Sequence, residues 1–117
     1  MIGLTEEQKM VRDMIRRLGR EKVFRRAAEA DQTREYPRDL HEIFVENGLF
    51  KIRVPEEYGG GPLDFTSACL VVEGLAQVDG TCANTVAHHQ AGLGCFLDGA
   101  NSEQRERYLP RVGKGDF

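Results

Sequence analysis

At 117 residues, 40% hydrophobic and 30% charged, the chain is the size of one globular domain and too small for two. A chain this long buries roughly 65% of its unfolded surface and needs no staple, and its three cysteines, Cys69, Cys82 and Cys95, match neither a disulfide framework nor the paired spacing of a zinc site. A net charge of −3 argues against general attraction to nucleic acid, and no segment supplies the ~20 apolar residues that span a bilayer.

Thr5, followed three residues later by Gln8, forms a capping-box start, and Val11, Met14, Ile15 and Leu18 continue at helical spacing. Gly19 interrupts this first helix, whose second half through Phe24 and Ala28 is expected to end near Asp31. The stretch YPRDLHEIFVENGLF reads as a second helix, with Pro37 near its first position and Leu40, Ile43 and Phe44 on one face. Gly48 should end it in a left-handed turn that folds Leu49 back on Phe44. Phe50, Ile52 and Val54 alternate with Lys51 and Arg53, which predicts a short extended segment near residues 50–54 with one face on the core.

The next stretch, PEEYGGGP, is irregular by composition. Pro55 excludes helix before it, Gly59, Gly60 and Gly61 permit positive dihedrals or close approach, and Pro62 stiffens the exit. Such a connector fixes the angle at which two helices meet a third, with direct substrate contact, through Tyr58, as the alternative. Asp64 then caps a third helix, FTSACLVVEGLAQV, apolar around nearly its whole circumference and therefore expected to be surrounded. After the break DGT, CANTVAHHQAGLGCFL forms a fourth helix rich in small residues. Asn101 or Ser102 caps a fifth, EQRERYLPRVG, kinked or ended by Pro110, and GKGDF reads as a linker. The fold class is all-α, a bundle of about five helices.

Several chemistries are suggested and weakened by the same residues. His88 and His89 titrate near neutrality, but neighbouring helix positions diverge by about 100°, whereas a chelating pair needs a spacing of three or four; packing or surface roles are expected, and no metal site. The first helix carries Arg12, Arg16, Arg17, Arg20, Lys22, Arg25 and Arg26, interleaved with Asp13, Glu21 and Glu29 and without alternating aromatics. That is a solvated, salt-bridged face, with helix-turn-helix DNA binding as the weak alternative. Cys82 lies where a helix dipole could lower its pKa, yet no local His or Asn makes it a nucleophile; all three cysteines are expected as small buried residues in a reducing, cytoplasmic compartment. Glu56 and Glu73 could pair as carboxylates, with structural ion pairs as the default. The amino terminus lacks a basic region followed by an apolar run, so no secretory signal is expected.

The ordered segments LTEEQ, NGLFKIRVPEEYGGGPLD, EGLAQVDGT, NTVAHHQAGLG and NSEQRERYLPRVGKGDF together resemble the amino-terminal helical domain of the acyl-CoA dehydrogenases, most specifically in VPEEYGG at residues 54–60. The resemblance covers the chain from Leu4 onward. It implies a flavoenzyme that removes two hydrogens from the α and β carbons of an acyl-CoA thioester, passing a hydride to FAD and then electrons to an electron-transfer flavoprotein. It also implies a middle β domain and a carboxy-terminal helical bundle that hold the flavin and the catalytic base. Residues 1–117 would then be the helical domain alone, with no catalytic residue, no FAD bound by this chain by itself, and no activity in isolation. Carried over by alignment, the acyl-pocket wall falls on Ala83, Asn84, Ala87 and His88, close helix packing being the alternative for the alanines. A same-fold flavin monooxygenase or oxidase, or a non-catalytic helical interaction module, are the other readings. A domain stripped of its neighbours should expose apolar surface or hide it in a homo-oligomer.

Overall fold

The computed structural model describes residues 3–61 and 63–116; Pro62, assigned above to the exit of the connector, lies outside them, as does Phe117. The first helical body is a rod of α1 (Glu6–Leu18), a π-helical turn (Gly19–Val23) and α2 (Phe24–Thr33). Its start is the expected reciprocal cap: the Gln8 amide N–H donates to Thr5 Oγ1 at 3.2 Å and the Thr5 N–H to Gln8 Oε1 at 3.0 Å. The rod widens at Gly19, which lies against Val78 so that a Cβ there would stand 3.0 Å from the valine side chain. The Phe24 N–H accordingly reaches back to the Gly19 carbonyl. The rod then runs two residues beyond Asp31, ending in the left-handed Arg34, whose N–H donates to Ala30 O at 2.9 Å.

α3 (Arg38–Glu46) ends as its sequence dictates. Gly48 has φ of +71°, its N–H donates to Val45 O at 3.0 Å, and the Leu49 N–H donates to Phe44 O at 2.9 Å, which together satisfy the last carbonyls. Residues 50–54 are not extended. They coil through successive turns, the Lys51 N–H reaching Gly48 O and the Val54 N–H reaching Lys51 O, while Phe50, Ile52 and Val54 are still buried. The alternation thus reports which side chains face the core, and turns deliver it as well as a strand would.

In the connector, Glu56–Tyr58 forms a single 3-10 turn closed by Gly59 at φ +88°. Gly60 is pressed onto the main chain of Val54: a Cβ there would lie 1.6 Å from Val54 O, so only glycine fits. Tyr58 packs beside Val54, Leu93 and Leu109 in a small second core, a structural role.

α4 (Phe65–Ala76), capped by the Asp64 carboxylate on the Ser67 N–H at 2.8 Å, and α5 (Gly80–Gly99), capped by Asp79 on the Cys82 N–H at 2.6 Å, make an antiparallel hairpin. Gln8 Nε2 donates to Asp64 at 2.7 Å, tying the start of α1 to that of α4. α1 crosses α4 closely because Gly74 leaves room for Ile15, whose Cγ2 would stand 2.4 Å from a Cβ at that glycine. α6 (Ser102–Val112) starts on Asn101 with its own reciprocal cap from Gln104 and continues through Pro110. The tail turns back on α3: Gly115, at φ +76°, sits against Val45, and His41 Nε2 lies 3.5 Å from its carbonyl.

Ile15, Val23, Leu40, Phe44, Val71, Leu75 and Val86 are the heart of the main core. α4, however, is not surrounded: Phe65 is 69% exposed and Cys69 is open to solvent. The described residues form a slab of 42 × 39 × 20 Å with 7669 Å² of accessible surface, about a fifth more than the roughly 6,400 Å² of a compact monomer of this mass.

Candidate functional site

The slab's open face is a groove of about 480 Å³ between α4 and α5. Phe65, Cys69 and Val72, at helical spacing on α4, form one wall, and Ala87 and Ala91, one turn apart on α5, form the other. Ala68 and Gln90 lie at its base. Arg53 reaches in from the turns before the connector, its guanidinium carbon 5.7 Å from the centroid of the Phe65 ring and its Nη1 3.4 Å from the Gln90 carbonyl oxygen. Gly94 makes this position available, since a Cβ there would lie 2.9 Å from Nη1. At the opposite end stands Glu73, eight residues further along α4 than Phe65 and so about 12 Å away along the axis.

The four residues assigned from sequence to a pocket wall do not share one surface. Ala87 lines the groove. Ala83 is 4% exposed and packs within the main core. Asn84 is exposed on α5, and its carbonyl accepts from His88 Nδ1 at 3.0 Å. His88 borders a different apolar cavity of about 370 Å³ toward α6, with His89, Leu93, Phe96 and Tyr108. The four positions span about 140° of the α5 circumference, and the structure divides that arc between the main core, the groove and the cavity toward α6. His89 serves packing: its Nε2 donates to Phe50 O at 3.1 Å, its ring lies 4.6 Å from that of Phe50, and burial lowers its pKa. Among the described residues, no group of three potential ligands could hold a metal ion.

Arg53, Phe65, Gln90 and Ala91 are groove residues that the sequence reading did not single out. Ala91 follows Ala87 by one turn. Gln90 is a long polar side chain at a core position, four residues after the buried Val86 and three before the buried Leu93, and that was its available signal. Arg53 carried none, because it reaches the groove only through the turns at 50–54.

The cysteines divide. Cys69, on the groove wall, and Cys95 are exposed, so only Cys82 fits the buried role expected of all three. Cys82 lies inside the first turn of α5, and its thiol is pushed up to about 12, first by burial and then by the Asp79 carboxylate that caps the same turn. The helix dipole does not prevail there. Glu73 stands exposed on the groove rim, and Glu56 lies in the connector's 3-10 turn; the two do not form a shared site in this groove. On the basic rod, Arg12 pairs with Asp13 at 2.8 Å and Arg26 with Asp39 at 2.7 Å.

Residues 5–116 match the family described as Acyl-CoA dehydrogenase, N-terminal domain. The cyclohex-1-ene-1-carbonyl-CoA dehydrogenase of Syntrophus aciditrophicus is 36% identical over 97% of this chain and 28% of its own length. The mitochondrial isovaleryl-CoA dehydrogenase of Bos taurus is 31% identical over 98% and 28%. A chain in a solved structure of the electron transferring flavoprotein of Acidaminococcus fermentans superposes with a TM-score of 0.87 at 30% identity, covering 98% of this chain and 30% of that one. Butyryl-CoA dehydrogenase from Megasphaera elsdenii shares the fold at a TM-score of 0.87, 24% identity and 98% and 31% coverage. The chain therefore spans under a third of the length of these relatives. Among the described residues, no helix is long and apolar enough to cross a membrane.

Proposed function

The chain belongs to the acyl-CoA dehydrogenase family, matching that family's N-terminal domain, and we propose that it forms the substrate-side helical wall of a flavin-dependent enzyme that dehydrogenates an acyl-CoA thioester. The observation that carries this reading is the apolar groove between α4 and α5, left open on a domain whose match runs over residues 5–116. Ala87 and Ala91 keep the α5 wall low, and the acyl chain lies along them. Ala83 supports the wall from the core side, while Asn84 and His88, exposed on the same helix, lie outside its lining.

FAD would supply the hydride-accepting chemistry of such an enzyme, but the two helix starts of the α4–α5 hairpin do not fit its pyrophosphate. The N-termini of α4 and α5, where a phosphate would find free N–H groups, are already occupied by the carboxylates of Asp64 and Asp79. On this reading the flavin and the base that takes the α proton are supplied by the rest of the complete protein, and electrons leave it for an electron-transfer flavoprotein. The large accessible surface, with Met10, Phe24 and Phe65 more than 60% exposed, supports coverage by further domains or a homo-oligomer. Two exposed free thiols suit a reducing, cytoplasmic setting.

The test is anaerobic flavin bleaching in the complete protein by saturated acyl-CoA thioesters of increasing length. Ala87→Phe fills the groove and should shift the preferred acyl group shorter, each excluded methylene weakening kcat/KM by roughly 0.8 kcal/mol. An unchanged length profile in a folded Ala87→Phe protein would remove the groove from the substrate path.

A further inference from the structure

Two polar groups at one end of the α4–α5 groove lack the partners that their setting calls for. Gln90 is 8% exposed, and its side-chain Nε2 is buried without a hydrogen-bond partner. A buried amide donor left unpaired is destabilising and uncommon in a native interior. On the same groove, the Arg53 guanidinium has five N–H donors, of which one meets the main-chain carbonyl oxygen of Gln90 at 3.4 Å, and its central carbon lies over the Phe65 ring. No carboxylate stands within ion-pair distance of Arg53 among the described residues. Gly94 is what lets this cation sit against α5. The walls between are apolar, and the acidic Glu73 occupies the far end, about 12 Å off. The groove is therefore polarised: donors and positive charge at the Phe65 end, a negative charge at the other.

We propose that Arg53 and Gln90 form a recognition end for an acyl group whose distal terminus carries an anionic oxygen, a carboxylate above all. This rests on the reading of the groove as the acyl wall. A carboxylate accepts several hydrogen bonds at once, so it can take the free edge of the guanidinium and, once the Gln90 side chain turns outward from the groove's base, its Nε2 as well. A plain alkyl terminus of the same length leaves both unpaired and desolvated, and a site that loses its hydrogen bonds in this way discriminates far more strongly than one that loses a methylene. Glu73 at the opposite end offers the same terminus no donor, so the anionic end lies at Arg53.

The experiment compares hexanoyl-CoA with adipoyl-CoA, its equivalent carrying a terminal carboxylate, as reductants of the flavin in the complete protein. The readout is the adipoyl-to-hexanoyl ratio of kcat/KM, with thermal stability measured in parallel. Gln90→Met should lower that ratio about 10- to 100-fold and leave the melting temperature equal or higher, because it removes the unpaired buried amide. Arg53→Gln reads the same ratio at the groove mouth and serves should the Gln90 variant not fold. If both variants turn over the thioesters with the wild-type ratio, the recognition end is refuted while the acyl wall stands. If neither thioester binds or reduces the wild-type flavin, the acyl-wall reading fails and takes the recognition end with it.

Discussion

The two faces of α4 use one helix for opposite purposes. Toward α1, Val71 and Leu75 are fully buried and Gly74 receives Ile15 so closely that no side chain could stand between. Toward α5's outer edge, Phe65 and Cys69 face solvent, across a groove that contains an unpaired amide and an unneutralised guanidinium. The first face is complete within these residues and specified by shape. The second is apolar, wide and short of hydrogen-bond partners, the condition of a surface completed by something else.

The sharpest probe of this contrast is thiol chemistry. Cys82 is buried with its thiol pushed up to about 12, which leaves almost no thiolate at pH 8, while Cys69 is exposed, so iodoacetamide should modify Cys69 first and Cys82 only on unfolding; mass spectrometry of timed digests reads the order. Equal rates would mean that the side containing Cys82 opens as freely as the groove.

Gly74→Ala tests the closed face directly. The added methyl meets the Ile15 side chain at 2.4 Å, and the overpacking should cost about 2 kcal/mol in urea unfolding. A loss below about 0.5 kcal/mol would mean that the crossing is loose. On the open face of the same helix, Phe65→Ser should change the stability of this chain by less than about 1 kcal/mol, since it gives up only an exposed cation–π contact with Arg53. A larger loss would close the groove and end the distinction between the faces.

The smallest effect concerns the junction of α1 and α4. Hydrogen bonds from the Ser67 backbone and side chain and from Gln8 hold the Asp64 pKa below the ordinary carboxylate range. A carboxylate depressed in the folded state adds stability above its unfolded pKa and loses it as pH falls through the folded value. Asp64→Asn should therefore flatten the acid limb of the stability curve below about pH 4 while still capping α4. An unaltered limb would show that the cap is not linked to proton binding.

The chain's local chemistry was legible residue by residue. The reciprocal cap of Thr5 and Gln8, the left-handed stop at Gly48, the caps of Asp64 and Asn101 and the burial of Phe50, Ile52 and Val54 each depend on neighbours within a few positions, so spacing alone carries them. The ordered segments around VPEEYGG also pointed to the family whose N-terminal domain matches residues 5–116. Tertiary structure decided the rest. It made the 50–54 segment a series of turns, left Cys69 and Phe65 open, sent Ala83 into the core and His88 to another cavity, and brought Arg53 and Gln90 together from thirty-seven residues apart. The reason is that periodicity shows which residues share a face but not what lies opposite it. Whether an apolar face is filled or left as a groove depends on the closeness of a crossing such as Gly74 on Ile15, and that distance exists only between helices.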